Sequence, residues 1–169
     1  LLWHNGTVRK SIREARTVLF ICYGNINRSA VADVIMKQLM PADCDKRVLS
    51  AGFHREEARP ADHRMQAIAA ENGFDLSRSR STCVTSELLD NSDIIFVMEK
   101  RHHDDLLSRR PSVAGKVFLL GPGCREEGRG VTEIPDPYNR SEDTYQACFV
   151  QIRRAVARLS ELIRAGDVR

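Results

Sequence analysis

Residues 17–33, TVLFICYGNINRSAVAD, contain the pattern that decides the fold. Thr17–Cys22 is an unbroken, mostly apolar run, which is typical of a strand buried on both faces. A glycine-containing loop follows, and apolar side chains then recur at helical spacing along 30–40, which predicts an amphipathic helix. Because a buried strand that leads directly into a helix is the repeating unit of parallel sheets, the stretch predicts an α/β domain.

The same alternation continues along the rest of the chain. Short β-rich runs predict three further strands, at 46–51, 93–98 and 116–120. Helical periodicity and capping residues predict a short helix around 9–15 and longer ones at 61–72 (ended by Gly73), 100–108 and 141–164 (begun by Ser141). Four strands joined by helices predict a single domain in which a four-stranded parallel sheet has helices on both faces.

The composition argues against several classes of protein. The 169 residues suffice for one domain with a core, and no apolar run reaches the roughly 18 residues of a membrane helix, so no membrane partner is expected. The net charge of +3 comes from mixed basic and acidic residues, and only 6% of residues are aromatic, which disfavours a nucleic-acid partner. The five cysteines are odd in number and lack zinc-site spacing, which indicates free thiols, no metal and a reducing, cytoplasmic location.

The loop CYGNINRS, residues 22–29, predicts a phosphate site. Amides between a strand end and a helix start can donate to a phosphate dianion, and the helix dipole adds positive potential. Gly24 allows the backbone angles of such a loop, and the Arg28 guanidinium can bind two phosphate oxygens. The same field favours the thiolate of Cys22, a nucleophile facing the phosphorus. The other residues predicted to form this loop are Tyr23, Gly24, Asn25, Ile26, Asn27 and Ser29.

A second stretch, IPDPY at 134–138, predicts the acid of the reaction. Two prolines stiffen the backbone around Asp136 and hold its carboxyl group at a loop tip. Next to a bound phosphate this group can keep a proton and deliver it to the leaving oxygen. Each stretch also has a plainer interpretation, a buried structural cysteine for Cys22 and a simple proline turn for Asp136.

These two stretches, together with 48–52, 62–81 and 93–106, resemble the low-molecular-weight protein tyrosine phosphatases, in the same order along the chain. The resemblance implies a flavodoxin-like fold of the phosphotyrosine phosphatase I type that needs no cofactor or metal. It divides the chain into an N-terminal extension, 1–16, and a catalytic domain, 17–169.

The resemblance also implies a role for each matching residue. Cys22 matches the nucleophile, Arg28 the phosphate clamp and Asp136 the general acid. Asn25 and Ser29 match the pair that stabilises the loop.

The substrate cleft is expected to include Phe53, Glu56 and Tyr138. Glu56 stands where many relatives have an apolar residue against the substrate ring, so it is expected to repel a phosphorylated ligand. Tyr23, Phe53 or Tyr138 could supply the aromatic packing instead.

Two further positions separate this chain from its relatives. Asn27 replaces a cysteine that forms a protective disulfide with the nucleophile in the family, so that protection is not expected here. Ile26 stands where arginine phosphatases of the group tend to carry threonine, which favours phosphotyrosine.

The resulting hypothesis is a hydrolase acting on phosphotyrosine proteins or aryl phosphates, as a monomer or weak dimer. Two alternatives stay open: an arsenate reductase of the same fold, and a phosphate-loop module that binds phosphoproteins without turnover. Neighbouring histidines His102 and His103 are predicted to be a solvated pair, since adjacent helical residues point about 100° apart and hold a metal poorly. The remaining cysteines are predicted to serve as small apolar residues: Cys44, Cys83, Cys124 and Cys148.

Overall fold

The fold is a four-stranded sheet between two layers of helices, seen in a computed structural model that describes residues 6–42, 44–124 and 132–167. The strands are β1 (Thr17–Cys22), β2 (Arg47–Gly52), β3 (Ile94–Val97) and β4 (Val117–Leu119). The helices are α1 (Gly6–Glu14), α2 (Arg28–Leu39), α3 (His63–Glu71), α4 (Ser86–Asp90), α5 (Lys100–Arg109) and α6 (Glu142–Asp167). Two short 3₁₀ turns flank β4, at Pro111–Val113 and Gly121–Cys124.

The sheet confirms the predicted fold class. Its strand order is β2-β1-β3-β4 and every pair is parallel. In a parallel sheet of this kind the carboxyl ends of the strands share one edge, where ligands bind. Cys22, the last residue of β1, lies opposite Gly52 at that edge.

The two faces of the sheet carry separate cores, as the unbroken apolar strands predict. Val18, Phe20 and Cys22 point to the side covered by α1, α2, α3 and α6. Leu19 and Ile21 point to the other side, which α4 and α5 cover. The Cys22 side chain therefore stands on the face against which α2 packs.

The two predicted helix caps are confirmed, one at the end of α3 and one at the start of α6. Gly73 ends α3 with a left-handed backbone (φ 84°), a conformation that side chains with a Cβ disfavour. The Ser141 hydroxyl accepts a hydrogen bond from the Thr144 amide, which satisfies one of the first amides of α6. The short helix α4 was not predicted, because five residues carry too little periodicity to detect.

The N-terminal helix α1 packs into the same core as α2, α3 and α6. Val8 and Ile12 are buried in the cluster that also contains α6. Lys46 donates to the carbonyls of Arg13 and Ala15 and so caps the carboxyl end of α1. Residues 6–16 are thus continuous in packing with the core on this face of the sheet.

The cysteine prediction is only partly correct. Cys148 is buried in the core, as an apolar role requires. Cys44 and Cys83 are only half-buried, since they lie in loops rather than on a packed element face. The side chain of Cys124 lies outside the described residues. None of the described helices has the length and apolar character needed to cross a membrane.

Candidate active site

The site is built by the loop between β1 and α2, which Cys22 precedes and Arg28 follows. Asn25, not Gly24 as predicted, takes the left-handed backbone of this loop (φ 52°), a conformation that asparagine tolerates better than most residues. Gly52 is required for a different reason. A Cβ there would lie 2.7 Å from the Tyr23 carbonyl oxygen and 2.9 Å from the Asn25 amide, so only glycine lets β2 approach the loop.

The sulfur of Cys22 is buried and surrounded by hydrogen-bonding groups. It lies 3.0 Å from the Ser29 hydroxyl and accepts a hydrogen bond from the Asn25 amide at 3.2 Å. The Asn25 side chain donates to the same Ser29 hydroxyl and accepts from the Thr82 amide. Asn25 and Ser29 thus lie in contact beside the sulfur, and donors of this kind stabilise a thiolate.

Arg28 is 1% exposed, and one side of its guanidinium is fixed by the protein. Its Nη1 donates to the Glu99 carboxylate at 2.6 Å and to the Ile134 carbonyl at 3.0 Å. Burial by itself would lower the pKa of Arg28, but the charges of Cys22, Asp136 and Glu99 together outweigh it and raise that pKa. The guanidinium is therefore a permanent cation beside the Cys22 sulfur.

The other edge of the Arg28 guanidinium, formed by Nε and Nη2, is available to bind a ligand. Its Nε has no hydrogen-bond partner among the described residues. Its Nη2 lies 2.7 Å from Asp136 Oδ2, an ion contact without the angular alignment of a hydrogen bond. The two nitrogens form the planar fork that binds two oxygens of a phosphate.

A cavity of about 210 Å³ opens above these groups. We call the buried loop residues Cys22, Asn25, Asn27, Arg28 and Ser29 the floor, and the more exposed residues Tyr23, His54, Arg59 and Tyr138 the rim. Both tyrosines of the rim are 52% exposed, so their rings are open to a substrate. The residues that line the cavity are Cys22, Tyr23, Gly24, Ile26, Asn27, Arg28, His54, Arg59, Asp136 and Tyr138.

Sequence and structural comparisons place this site in a known family. The model of the low molecular weight phosphotyrosine protein phosphatases matches residues 17–167. The chain belongs to this family. The phosphatase Wzb of Escherichia coli (strain K12) is 32% identical over 151 residues, which are 89% of this chain and 97% of that protein.

Two solved structures show the same fold as this low-molecular-weight phosphatase. One is Vibrio vulnificus Wzb in complex with benzylphosphonate, with a TM-score of 0.76, 31% identity, and coverage of 86% of this chain and 97% of that one. The other is the YwlE arginine phosphatase from Geobacillus stearothermophilus, with a TM-score of 0.77, 25% identity, and coverage of 89% and 94%.

Two residues of the predicted cleft lie elsewhere in this phosphatase. Phe53 packs on the ring of His102, with ring centroids 5.4 Å apart, and does not line the cavity. Glu56 is also outside the cavity lining, and its carboxylate faces Arg59 at 3.9 Å. The expected repulsion of a phosphorylated ligand by Glu56 is therefore offset by the guanidinium of Arg59.

Sequence reasoning missed Glu99, the carboxylate that anchors Arg28. Burial would raise the pKa of Glu99, but hydrogen bonds from Arg28 and Arg101 outweigh this and lower it, so Glu99 is a carboxylate. Its position directly after β3, at the same sheet edge as Cys22, is the signal that could have found it.

The prediction that His102 and His103 are solvated is wrong, because both are buried. Burial, aided by the nearby positive charge of Arg28, lowers the pKa of His102 to about 4. A neutral His102 ring thus packs under Glu99, with Nε2 3.6 Å from Oε2. In the described part of the chain, no cluster of His, Cys, Asp and Glu side chains is arranged to hold a metal ion.

Proposed function

We propose that this chain removes the phosphoryl group of phosphotyrosine in proteins by way of a phosphocysteine on Cys22. The observation that carries the proposal is the meeting of three groups at one cavity: the Cys22 sulfur, the unbound edge of Arg28 and the Asp136 carboxyl group. Family membership supports the same chemistry.

In the first step the Cys22 thiolate attacks phosphorus, and an S–P bond forms as the bond from phosphorus to the tyrosyl oxygen breaks. Asp136, protonated, gives its proton to the leaving phenolate oxygen. In the second step water attacks the phosphorus of the phosphocysteine, Asp136 takes the proton of that water, and the S–P bond breaks. Phosphate leaves and the thiolate is restored. Arg28 and the loop amides stabilise the charge on the transferred oxygens in both steps.

Asp136 changes partner during this cycle. Without ligand its Oδ2 contacts Nη2 of Arg28, the nitrogen that also belongs to the phosphate fork. An entering phosphoryl group competes for Nη2 and releases the Asp136 carboxyl group toward the leaving oxygen. The Tyr138 amide, which lies 3.3 Å from Asp136 Oδ1, keeps the carboxyl group near the cavity during the exchange.

The walls of the cavity support an aromatic leaving group. Tyr23 and Tyr138 offer exposed rings, and Ile26 adds an apolar surface between the rim and the floor. Aromatic rings stack and pack on such surfaces, whereas the short aliphatic arm of phosphoserine would reach them poorly. The aromatic rim and Ile26 thus favour phosphotyrosine over phosphoserine.

A test of the proposal combines one variant with a panel of substrates. Cys22→Ser should abolish release of phosphate from a phosphotyrosine peptide, because the hydroxyl is not ionised at neutral pH. Wild-type protein should cleave phosphotyrosine peptides faster than phosphoserine or phosphoarginine peptides of the same sequence. Full turnover by Cys22→Ser would end the proposal, and faster release from phosphoarginine would change the substrate class.

The two alternatives have distinct outcomes in the same assays. An arsenate reductase would consume a thiol reductant when arsenate is added. A binding module would bind the phosphopeptides and release no phosphate. We expect neither result, because the named relatives are phosphatases and because nucleophile, cation and acid occur together here.

A further inference from the structure

Asn27, the residue that departs from the family pattern, leaves a polar atom unpaired in the floor. Its side chain is 3% exposed, and no described residue donates a hydrogen bond to its carbonyl oxygen Oδ1. Nε and Nη2 of Arg28 are buried in the same floor and also lack hydrogen bonds. Asn27 and Arg28 both line the cavity. Because buried polar atoms in native proteins are nearly always paired, these atoms indicate what a ligand has to supply.

The Asn27 side chain lies next to a buried network. The Tyr145 hydroxyl donates to the Asp62 carboxylate at 3.0 Å. Burial and the bond to Asp62 raise the pKa of Tyr145 to about 12, while the neighbouring Asn27 side chain acts in the opposite direction. The Oδ1 end of the Asn27 amide has no hydrogen-bond partner among the described residues.

The network itself is held by two further contacts. Asp62 caps α3 by accepting from the Arg64 amide, and its own amide donates to the Ile26 carbonyl of the phosphate loop. Tyr145 is fully buried in α6.

An unpaired acceptor is unexpected in a phosphate cradle. Arg28 and the loop amides only donate, which suits the oxygens of any oxyanion. A fully ionised phosphoryl group has hydrogen-bond acceptors only, as Oδ1 does. One of its oxygens would therefore lie against Oδ1 with no proton between them, and the two oxygens would repel each other. A phosphoryl monoanion keeps one P–O–H group, which can donate to Oδ1. The monoanion also brings less negative charge toward the Cys22 thiolate.

We propose that Asn27 Oδ1 accepts a hydrogen bond from the P–O–H group of the bound phosphoryl group, so that the site selects a phosphoryl monoanion over oxyanions without a proton. This inference rests on the proposed function, since it concerns the same site. The second pKa of phosphoryl esters is about 6, so the selected form is abundant at mildly acidic to neutral pH.

Two probes that differ by a single hydroxyl group test this selection. At mildly acidic pH, benzylphosphonate and benzylsulfonate share shape and a single negative charge, but only the phosphonate has an O–H. Their affinities are measured by calorimetry and by the protection of Cys22 against alkylation. Wild-type protein should bind the phosphonate at least about tenfold more tightly, since sulfonate leaves a buried acceptor unpaired beside an anion.

Sulfonate oxygens are also weaker hydrogen-bond acceptors for Arg28, so a preference of the wild-type protein for phosphonate could arise without Asn27. The variant Asn27→Ser separates the two causes. A serine hydroxyl can turn to donate or accept, so the preference should fall by about fivefold or more, mainly through tighter sulfonate binding. Thermal unfolding shows that the variant is folded.

The possible results separate the inference from the proposed function. If Asn27→Ser weakens both probes equally and keeps their ratio, Asn27 is only structural and the inference is overturned, while the phosphatase proposal stands. If folded wild-type protein binds neither probe and Cys22 is not protected, the proposed function itself fails.

Discussion

The floor and the rim of the site differ in how firmly the protein holds them. Cys22, Arg28 and Ser29 are at most 2% exposed, and each has buried hydrogen-bond or ionic partners. Tyr23 and Tyr138 of the rim are half exposed. A rigid floor suits chemistry that depends on tenths of an ångström, while an open rim suits contact with many protein surfaces. Substitutions in the floor should thus change turnover, and substitutions in the rim should change substrate choice.

After the loss of Cys22 itself, the largest effect is expected at Asp136, which lines the cavity beside the rim and contacts Arg28 of the floor. Asp136→Asn removes the proton donor and should lower kcat by roughly a hundred- to ten-thousand-fold on a poor leaving group. The variant should bind inorganic phosphate at least as tightly, because the carboxylate that competes for Arg28 Nη2 is gone. Steady-state kinetics and calorimetry check both parts. Asp45→Asn, an exposed site before β2, is the control and should change neither value.

The next largest effect on turnover is expected at Glu99, the carboxylate that holds the Arg28 guanidinium. Glu99→Gln replaces a charged hydrogen bond to Arg28 with a neutral one and should lower kcat/KM about tenfold. Phosphate affinity should fall by a similar factor, since the guanidinium loses its fixed orientation. Glu87→Gln on the exposed side of α4 is the matched control. Unchanged kinetics in Glu99→Gln would show that the loop alone positions Arg28.

Because buried His102 is neutral, we expect the stability of the folded protein to depend on pH. Because the pKa of His102 is about 4 in the folded protein against an ordinary 6.5, the unfolded chain takes up this proton first as the pH falls. The contribution of His102 is present above pH 6.5 and is lost as the pH falls through about 4. It amounts to at most about 3 kcal/mol in the free energy of unfolding.

Urea unfolding at several pH values measures this effect. His102→Gln should be less sensitive than wild-type protein to acidification between these two pKa values. His63→Gln, at a side chain 87% exposed, should keep the wild-type slope. Equal slopes in wild-type protein and His102→Gln would show that His102 titrates as an ordinary histidine.

The smallest effect is expected in the rim. Arg59 Nη2 donates to the Gly24 carbonyl at 2.7 Å, which places a cation at the cavity wall. Arg59→Gln should raise KM for phosphopeptides with acidic neighbours by up to about fivefold and leave kcat almost unchanged. Arg55→Gln, in the same loop but not at the cavity, is the control. A fall in kcat without a change in KM would instead place Arg59 in the floor.

The elements that could be predicted from the sequence are those whose structure depends only on residues close to one another in the chain. The strand Thr17–Cys22, the helix after it and the cap at Ser141 each depend on periodicity or on one neighbouring amide. The phosphate loop could be predicted for the same reason, because the thiol of Cys22, the loop amides and the guanidinium of Arg28 lie within eight consecutive residues. The backbone detail within it was assigned wrongly, since the left-handed angle falls on Asn25 and not on Gly24.

The contacts that could not be predicted join residues far apart in the chain. Glu99 is 71 residues from Arg28, and Phe53 meets His102 only because β2 ends and α5 begins near the same sheet edge. The burial of His102 depends on which side of α5 faces the sheet. A pair of histidines in a charged segment gives no local sign of that choice.

By itself, the sequence determined the α/β class and the loop that holds the candidate nucleophile Cys22, since a strand, a turn and a helix start encode their geometry within a few residues. Only the tertiary structure decided which edge of Arg28 is free and which carboxylate anchors it. It also decided that Asn27 keeps an unpaired acceptor in the floor. The physical reason is that pairing and burial depend on groups brought in from β3, α3 and α6, and the free energy of a buried polar atom is set by all of its neighbours at once.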